Sequence, residues 1–562
     1  MRISIFYLLV LFTTTAFSQN AGELISGHDG MVVSANAEAT RVGVEVLRDG
    51  GNAVDAAVAV GFALAVTYPS AGNIGGGCYM VIHMADGREA AIDARETAPA
   101  AAHRDMYLDS LGNVIEGSSL VGPLAAGVPG SVDGLLTALA HYGSMNRTQV
   151  LNPAISLAAG GFQIHPRLAR HFALYSDRFA RFPTTAATFS NNGKAYAARE
   201  TWKQPDLAET LKRIQAQGRD GFYRGETAEH IVRAMQKDAG IITLDDLAGY
   251  ASIVRKPLRG SYRGYEIVSM PPSSSGGVAL LQMLGMLEND RLIFPNGGDA
   301  HTMHLMVESM RRAFADRAAF LGDPAFFEIP LQRLLSSRYL DSLRRSFTSG
   351  ATPSSEIDRG VAAPRDGKET THYSVIDRWG NAVSVTTTIN SSFGSLYIVP
   401  DAGFLLNNEM DDFSVRPGVP NQFGLLGGEA NSIEPGKRML SSMTPTIVLR
   451  DDAVFMVTGS PGGSQIITTV LQSILHVVHG NMSIDEAIAH PRIHHQWYPD
   501  IVIHEKDALK SNCIDELTEM GYRLKRYAPF GRCDALMVDD RGVLHGCSDP
   551  RGYGAAGVVR GK

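Results

Sequence analysis

One threonine stands where a polar stretch of the chain gives way to a β-rich run, and its hydroxyl could attack the chain itself. Thr370 follows Glu369 and precedes the alternating residues 371–375. A β-hydroxyl reaches the preceding carbonyl through a five-membered ring, so an N-to-O acyl shift and hydrolysis would cut the Glu369–Thr370 bond. The freed α-amine, with a pKa of about 7.7–8.0, could then activate the adjacent hydroxyl as a nucleophile. The alternative is an ordinary first residue of a strand.

The residues after Thr370 predict a β-hairpin. Two β-rich runs, residues 371–377 and 382–388, flank a three-residue turn that ends in Gly380, which is typical of a hairpin with a G1 bulge. This register places Thr370 opposite Thr388, and the Cβ atoms of directly paired residues lie about 4.5–5.5 Å apart. We therefore predict a second hydroxyl beside the proposed nucleophile. A register shift of one residue would instead turn Thr388 to the other face of the sheet.

The segment before Thr370 predicts an exposed connection. Residues 349–369 are rich in Ser, Pro, Gly and charged residues, and such a composition buries little surface and stays flexible. No other linker of this kind interrupts the chain. The segment can therefore hold either a cleavage site or a boundary between domains.

Several motifs, taken in order, resemble one known family. The run Thr370-Thr371-His372-Tyr373-Ser374-Val375 is similar to the processing site of the γ-glutamyltransferases, which are N-terminal-nucleophile enzymes. Any one motif would be weak evidence, but the resemblance covers almost the whole chain after residue 25. The other matching motifs are residues 93–99, 315–324, 388–394, 406–413, 440–445 and 459–464.

The order of the predicted elements favours layered sheets covered by helices, because strands fill the middle of the chain and helices precede and follow them. The resemblance implies an α+β fold, a four-layer αββα sandwich of the N-terminal-nucleophile type. Residues 19–369 would be the large subunit and residues 370–562 the small catalytic subunit, both parts of one domain and of one heterodimer. The predicted helices are residues 40–47, 52–68, 208–217, 226–239, 300–321 and 464–479, and the further strands are 78–84, 90–93, 444–449 and 453–458.

Three residues match the family's groups for an α-carboxylate. Arg95 matches the arginine that grips it, and a planar guanidinium can make two parallel hydrogen bonds to a carboxylate. Ser441 and Ser442 match the hydroxyls that also bind it. On spacing alone, Arg95 would be a surface arginine and the serines would be residues at a strand edge.

Five more residues match groups for an ammonium and for an oxyanion. Asn390, Glu409 and Asp412 match the side chains that hold the α-ammonium of the substrate. Gly462 and Gly463 match a pair of backbone N–H groups that stabilise the oxyanion of acyl transfer, and the helix predicted to follow adds its positive end. The alternatives are solvated loop carboxylates and a tight turn between a strand and a helix.

The resemblance implies a complete reaction. Thr370 would attack the γ-carbonyl of glutathione or a related γ-glutamyl amide, and the γ-glutamyl ester would pass to water or to an amino acid or peptide. This mechanism requires no metal and no organic cofactor. A glutaryl or cephalosporin-type acylase is one alternative, but a glutaryl group has no amine for the ammonium-binding residues. A non-catalytic binding homologue is another, which the intact nucleophile and glycine pair argue against.

The first residues resemble an export signal. Arg2 precedes an apolar core at residues 5–12, and Ala16-Phe17-Ser18 before Gln19 fits a small-x-small cleavage site. We therefore expect residues 1–18 to be a signal peptide and the protein to be periplasmic or secreted. The apolar core is shorter than the roughly 20 residues that span a bilayer, so no stable membrane span is expected. A net charge of −7 without a Lys/Arg block argues against a nucleic acid partner.

Two further features leave questions open. Cys533 and Cys547 lie on the two arms of a predicted hairpin, where they could form a disulfide after export or remain buried thiols, the reading we favour. Residues 417–428 form a Gly/Pro-rich loop that resembles the family's lid over the substrate. Phe423 stands where many bacterial relatives have tyrosine, which puts a hydroxyl-mediated lid contact in doubt.

The glycines at 75–77 do not fit a nucleotide motif and predict close packing near the active centre.

Overall fold

The protein consists of two β-sheets that face each other, with helices on both outer sides. The predicted α+β, four-layer αββα sandwich is therefore confirmed. The first sheet packs on the second through an apolar layer that contains Val33 and Val81 from one sheet and Val268 and Leu449 from the other. The computed structural model describes residues 16–17, 21–357, 370–416, 421–422, 425 and 427–560.

The first sheet interleaves strands from both sides of Thr370. All its neighbouring strands run antiparallel. The hairpin that starts at Thr371 lies in the middle of this sheet, between strands from the first hundred residues. In spatial order the strands are Ala16–Phe17, Ala555–Val558, Gly30–Ser34, Thr371–Asp377, Ala382–Thr388, Gly77–His83, Glu89–Ala94 and Ile253–Arg255.

The second sheet is antiparallel throughout as well. Its strands, in spatial order, are Leu258–Tyr262, Tyr265–Ser269, Thr446–Arg450, Ala453–Thr458, Asp534–Val538, Leu544–Ser548 and Ile25–Gly27. One smaller sheet places Val502–His504 between Ile493–His494 and Leu524–Arg526. Two others pair Phe162–Gln163 with Thr201–Trp202 and Ser190–Asn191 with Lys194–Ala195.

Two groups of helices complete the sandwich. The first group contributes to the apolar core on the outer side of the first sheet. It comprises Ala37–Arg48, Ala53–Thr67, Ser131–Tyr142, Arg147–Gly160, Pro166–Phe179, Pro183–Thr188, Pro205–Gln217, Asp220–Tyr223, Gly225–Lys237 and Leu244–Gly249. The second group, most of which packs beside the second sheet, comprises Gly276–Leu287, Ala300–Phe320, Leu331–Leu334, Ser337–Arg345, Gln465–Ile474, Ile484–Ala489 and Ser511–Glu519.

The buried helix Ala53–Thr67 fixes the far end of the central hairpin. Its N-cap Asn52 forms a capping box with Asp55, which satisfies backbone N–H groups that would otherwise be unpaired at the helix start. The N–H of Ala53 donates to the Asp377 carboxylate at 2.8 Å. Because Asp377 ends the first hairpin strand, the helix start and the hairpin turn are locked together.

The register of the hairpin is the predicted one. Thr371 pairs with Thr387 and Ile376 with Ala382, so one further pair places Thr370 opposite Thr388. Gly380 closes the turn with φ +89°, a conformation that glycine adopts without strain. The other predicted helices and strands are present within a few residues of their expected limits. The exception is residues 464–479, where the α-helix ends at Ile474 and a π-helical turn follows.

The segment before Thr370 is not exposed throughout. The structure describes residues 349–369 only as far as Ile357, and there the prediction of a flexible connection is wrong. The Ser354 hydroxyl donates to the Trp497 carbonyl at 2.6 Å and accepts from Arg311 at 2.7 Å. Buried hydrogen-bond partners therefore anchor residues whose composition alone indicates a solvated linker. The rest of the segment lies outside the described residues.

Cys533 and Cys547 lie at the predicted hairpin of the second sheet, and both are free and buried. The Sγ of Cys533 lies 3.0 Å from the hydroxyl of Thr458. The two thiols are therefore packed as small core side chains, as we favoured. Within the part of the chain that the structure describes, no helix has both the length and the apolar composition needed to cross a bilayer.

Candidate active site

The predicted site residues gather around Thr370 although they come from distant parts of the chain. A small cavity of about 310 Å³, part of it open to solvent, lies at the end of the central hairpin. Gly462 lines a neighbouring groove, and Glu369 lies outside the described residues. The other predicted residues all line the cavity: Thr370, Thr388, Gly463, Arg95, Asn390, Glu409, Asp412, Ser441 and Ser442.

Thr370 is buried, with 4% of its surface exposed, and directly precedes the strand Thr371–Asp377. The hydroxyl oxygen of Thr388, opposite it in the hairpin, accepts the backbone N–H of Asn390 at 2.7 Å. The side-chain amide of Asn73 donates to the Thr388 carbonyl at 2.8 Å. The end of the hairpin is therefore held in one position, and the predicted neighbouring hydroxyl is present.

Glycines allow the loop after Asn73 to approach the end of the hairpin closely. A Cβ atom on Gly76 would lie 2.2 Å from the Thr388 carbonyl oxygen, and one on Gly77 would lie 2.4 Å from a carboxylate oxygen of Glu96. Such contacts are too short for any side chain. The prediction of close packing near the active centre is therefore confirmed.

Arg95 lies at the centre of a buried acidic cluster and is fully buried itself, which excludes a surface arginine. Its Nη1 lies 2.7 Å from Oε2 of Glu409 and 3.4 Å from Oε2 of Glu96. Its Nη2 is paired with Asp412, and its Nε donates to the Met439 carbonyl at 3.1 Å. Arg95, which matches the family's α-carboxylate-binding arginine, therefore contacts Glu409 and Asp412, which match its α-ammonium-binding side chains.

The cluster carries more acidic groups than Arg95 can neutralise. Burial raises the pKa of Glu96 to about 7, although Arg95 opposes this rise. Burial also raises the pKa of Glu409 well above its ordinary value, and the neighbouring carboxylates add to this effect. Burial and the neighbouring carboxylates therefore disfavour the ionised forms of Glu96 and Glu409, since like charges so close together do not ionise easily.

The two serines are held by contacts with Arg317 and Ser275. Nη2 of Arg317, on the helix Ala300–Phe320, lies 3.4 Å from the Ser442 hydroxyl. Nε of Arg317 donates to the Ser275 hydroxyl at 2.9 Å, and Ser275 in turn donates to the Ser441 carbonyl at 2.6 Å. Arg317 lines the cavity but was not among the predicted site residues. Its only sequence signal is its place in the family motif at 315–324.

Gly462 and Gly463 form the predicted turn between the strand Ala453–Thr458 and the helix Gln465–Ile474. Their φ angles are +132° and +57°, so both positions favour glycine over other residues. The two glycines therefore form a tight turn that can also present backbone N–H groups toward Thr370. Gly463 faces the cavity, while Gly462 faces the larger groove beyond it.

The neighbouring groove has a basic lining. It encloses about 1120 Å³, open space included, and no acidic side chain is among its described lining residues. Nη2 of Arg532, which lines the groove, lies 3.4 Å from the Thr370 carbonyl oxygen. The groove therefore reaches the backbone of Thr370. The other charged and aromatic lining residues are Tyr68, Arg167, Arg170, His171, Phe530, Arg551 and Tyr553.

The loop predicted as a lid is described only in part, and Phe423 lies outside the described residues. The backbone N–H of Gln422 donates to the Asp411 carboxylate at 3.0 Å. The side chain of Asn421 donates to Asp412 at 3.3 Å, and Leu425 lines the cavity. The described residues of this loop thus contact the acidic turn of the site.

His372, two residues after Thr370, is not available as a base. Its ring nitrogens each lie 3.0 Å from a hydroxyl, those of Thr386 and Ser374. Burial lowers the pKa of His372 to about 3, and the ring packs against Gly459 rather than lining the cavity. A base near Thr370 must therefore come from another group.

Comparisons with known proteins agree with this geometry. The family model described as Gamma-glutamyltranspeptidase matches residues 39–559. The chain is 46% identical over 529 residues to the glutathione hydrolase proenzyme of Escherichia coli (strain K12), covering 94% of this chain and 91% of the relative.

Solved structures share the fold. The γ-glutamyltranspeptidase of Helicobacter pylori is 43% identical, with a TM-score of 0.58 over 59% of this chain and 95% of that chain. The cephalosporin acylase of Bacillus halodurans is 24% identical, with a TM-score of 0.84 over the full length of both chains. At that level of identity the second similarity concerns the fold alone.

Proposed function

Because this chain belongs to the gamma-glutamyltranspeptidase family, we propose that it is a self-processing enzyme that cuts before Thr370 and cleaves the γ-glutamyl amide of glutathione and related compounds. The observation that carries this proposal is the position of Thr370. It is a buried threonine at the start of a central strand, with the family's donor-binding and oxyanion residues around it. Enzymatic activity of this class follows from membership of the family.

Maturation begins on the chain itself. The Thr370 hydroxyl attacks the carbonyl carbon of Glu369, and the peptide nitrogen becomes the α-amine as the acyl group moves to oxygen. Water then hydrolyses the ester, which releases the Glu369 carboxylate and restores the hydroxyl. Residues 19–369 and 370–562 remain together as a heterodimer, because the hairpin Thr371–Asp377 and Ala382–Thr388 is paired with upstream strands on both sides.

Turnover uses the new amine. It accepts the proton of the Thr370 hydroxyl while the oxygen attacks the γ-carbonyl of the donor. The N–H groups of Gly462 and Gly463 stabilise the oxyanion, and the amine of the donor leaves with a proton. Water or an amine acceptor then attacks the γ-glutamyl ester on Thr370, which gives glutamate or a new γ-glutamyl amide.

The acidic cluster suits a zwitterionic donor. Arg95, with Ser441 and Ser442, would bind the α-carboxylate, and Asn390 would join the carboxylates in binding the α-ammonium. An incoming ammonium gives Glu409 and Asp412 a second positive partner, which lowers the cost of their burial. A glutaryl group lacks this ammonium and would leave the excess of carboxylates uncompensated. The cluster therefore favours a γ-glutamyl donor over the acylase alternative.

The basic groove suits the other half of the reaction. A leaving dipeptide and an amino acid or peptide acceptor both carry a carboxylate beyond the reacting amine. The groove includes Gly462 and Arg532, and Nη2 of Arg532 lies 3.4 Å from the Thr370 carbonyl oxygen. Its positive lining would draw such carboxylates to the ester. We therefore assign the groove to the leaving group and the acceptor.

Export remains part of the proposal. Residues 1–18 have the pattern of a signal peptide, which would place the mature enzyme in the periplasm or outside the cell. The strand Ala16–Phe17 lies at the edge of the first sheet. Removal of the leader would therefore cost the sheet an edge strand and leave its centre intact.

The proposed function is tested with purified full-length protein and glutathione. Release of glutamate, and formation of a γ-glutamyl dipeptide when a dipeptide acceptor is added, are the expected results. Intact-mass measurement should find two chains that begin at the mature N-terminus and at Thr370. An uncut chain with full activity would contradict the mechanism.

A further inference from the structure

Arg317 is a buried cation that faces the donor cavity without an acidic partner. It is 4% exposed, and within the described part of the chain no carboxylate lies at ion-pair distance from its guanidinium. Asp412 acts on it only from farther away. Burial of an unpaired charge is unfavourable, and it lowers the pKa of Arg317 to about 10. A fully buried arginine without a counterion therefore needs an explanation.

The hydrogen bonds of Arg317 leave part of its guanidinium unused. Nε donates to Ser275 and Nη2 to Ser442, while Nη1 has no acceptor among the described residues. Arg95 differs in this respect. Its three nitrogens already contact three carboxylates and the Met439 carbonyl. Of the two guanidinium groups in the cavity, Arg317 is thus the one with free capacity for an anion.

The contacts of Arg317 also orient the predicted carboxylate-binding serines. The Ser442 hydroxyl accepts from Arg317, and the Ser441 hydroxyl accepts the N–H of Met443 at 3.1 Å. Each hydroxyl therefore keeps its own hydrogen for a further acceptor. Ser275 links Arg317 to the Ser441 carbonyl. One arginine thus positions both serines so that they can donate into the cavity.

We propose that Arg317 binds the α-carboxylate of the γ-glutamyl donor together with Ser442, as the second guanidinium of the donor site. The donor supplies the counterion that the protein does not. In this arrangement Arg317 and Arg95 both contact the α-carboxylate, while Glu409 and Asp412 accept the ammonium. This inference rests on the proposed function and adds a residue that determines donor specificity.

The test compares two donors that differ at one group. One is a γ-glutamyl anilide with a free α-carboxylate, and the other carries an α-carboxamide in its place. For Arg317→Gln we expect KM of the carboxylate donor to rise about 10- to 100-fold, as for a lost hydrogen bond to a charged group. We expect KM of the carboxamide donor to rise by less than about twofold. Arg317→Lys should fall between the wild type and Arg317→Gln.

Two further variants separate binding from folding. Arg312→Lys is the matched control, since Arg312 is buried on the same helix but paired with Glu308. Arg312→Lys should change KM of either donor by no more than about twofold. Ser275→Ala removes an anchor of Arg317 while leaving its charge, and should weaken the carboxylate donor more than the carboxamide donor. This variant keeps the test valid if Arg317→Gln does not fold.

The outcomes are distinct. Equal losses for the two donors, or no loss for either, would overturn the role of Arg317 in binding the α-carboxylate. A wild-type protein that cuts itself but cleaves neither donor would instead contradict the proposed function. Cleavage before Thr370, measured by intact mass, shows for every variant whether the chain has folded.

Discussion

Nη1 of Arg95 lies 2.7 Å from Oε2 of Glu409, so two side chains proposed to bind opposite ends of the donor also bind each other. This pair, with Glu96 and Asp412, preorganises the site. The cost is a set of buried carboxylates whose charge Arg95 alone does not balance. A zwitterionic donor would offer its carboxylate to Arg95 and its ammonium to Glu409 and Asp412. Each side chain would then exchange one oppositely charged partner for another, which explains how a buried polar site can remain specific.

Thr370→Ala should give one uncut chain with no γ-glutamyl transfer activity, because both the cut and the attack on the donor require the hydroxyl. Intact-mass measurement and release of glutamate from glutathione are the readouts. Thr370→Ser keeps a β-hydroxyl and is the matched control. Detection of the two chains in the alanine variant would contradict self-cleavage by this residue.

Thr388→Ala should slow both maturation and turnover. The Thr388 hydroxyl accepts the N–H of Asn390 and lies opposite Thr370, where it would contact the α-amine that the proposed cut releases. A lost hydrogen bond to a charged or reactive group costs about 1.5–3 kcal/mol, or about tenfold to a hundredfold in rate. The half-time of cutting and kcat of the cut protein measure this. Thr388→Ser should retain most of both rates, and equal behaviour of the two variants would remove Thr388 from the mechanism.

Arg95→Lys should raise KM for γ-glutamyl donors by about tenfold or more, since an ammonium does not reproduce a bidentate contact. The structure adds a second effect. Because Arg95 contacts three buried carboxylates, the variant should also lower the thermal stability. Donor titrations and melting curves separate the two. An unchanged KM would exclude Arg95 from donor binding.

Glu96→Gln should reduce the loss of stability on going from pH 4.5 to pH 7. Burial raises the pKa of Glu96 from 4.5 to about 7. Between these values the unfolded chain has lost the proton that the folded chain retains, so raising the pH favours unfolding. The contribution is on the order of 3 kcal/mol. Melting temperatures at pH 5 and 7.5 measure it, with Glu519→Gln as an exposed control. Equal pH dependence in wild type and Glu96→Gln would contradict this assignment.

Arg170→Gln should weaken acceptors that carry a free C-terminal carboxylate. Arg170 is exposed and lines the basic groove, where an exposed charge pair contributes about 0.2–1 kcal/mol, or up to about fivefold in KM. The same acceptor as a C-terminal amide should be affected less. Arg178→Gln lies on the same helix outside this groove and is the control. Equal effects on both acceptors would mean that Arg170 does not bind the C-terminal carboxylate of the acceptor.

The hairpin shows what the sequence could predict. The three-residue turn that ends in Gly380 predicts a register with Thr370 opposite Thr388, and the structure has this register rather than one shifted by a residue. The family motifs likewise predicted the candidate donor-binding residues, which line one cavity with Thr370. Local patterns predict contacts between residues that are close in sequence. Ordered motifs predict contacts that a family already shares.

Long-range charge contacts were beyond such reasoning. The pairs of Arg95 with Glu409 and Asp412 join residues more than 300 positions apart, and spacing gives no sign of them. Arg317 falls on a helix that is buried almost throughout, so its periodicity indicates only packing. Ser354 belongs to a stretch that reads as a solvated linker, yet Arg311 and Trp497 bury it. In each case the partner lies more than 40 positions away in the sequence.

The strand order of the first sheet gives the cut a further meaning. Thr371–Asp377 lies between Gly30–Ser34 and Ala382–Thr388, which itself borders Gly77–His83. The catalytic hairpin alone would expose both of its edges, and unpaired edges invite aggregation. In the proposed maturation, the sheet therefore assembles while the chain is still continuous, before Thr370 attacks. A cut before Thr370 would then show that the molecule had folded, and the fraction of cut chains would measure the fraction of molecules that have folded.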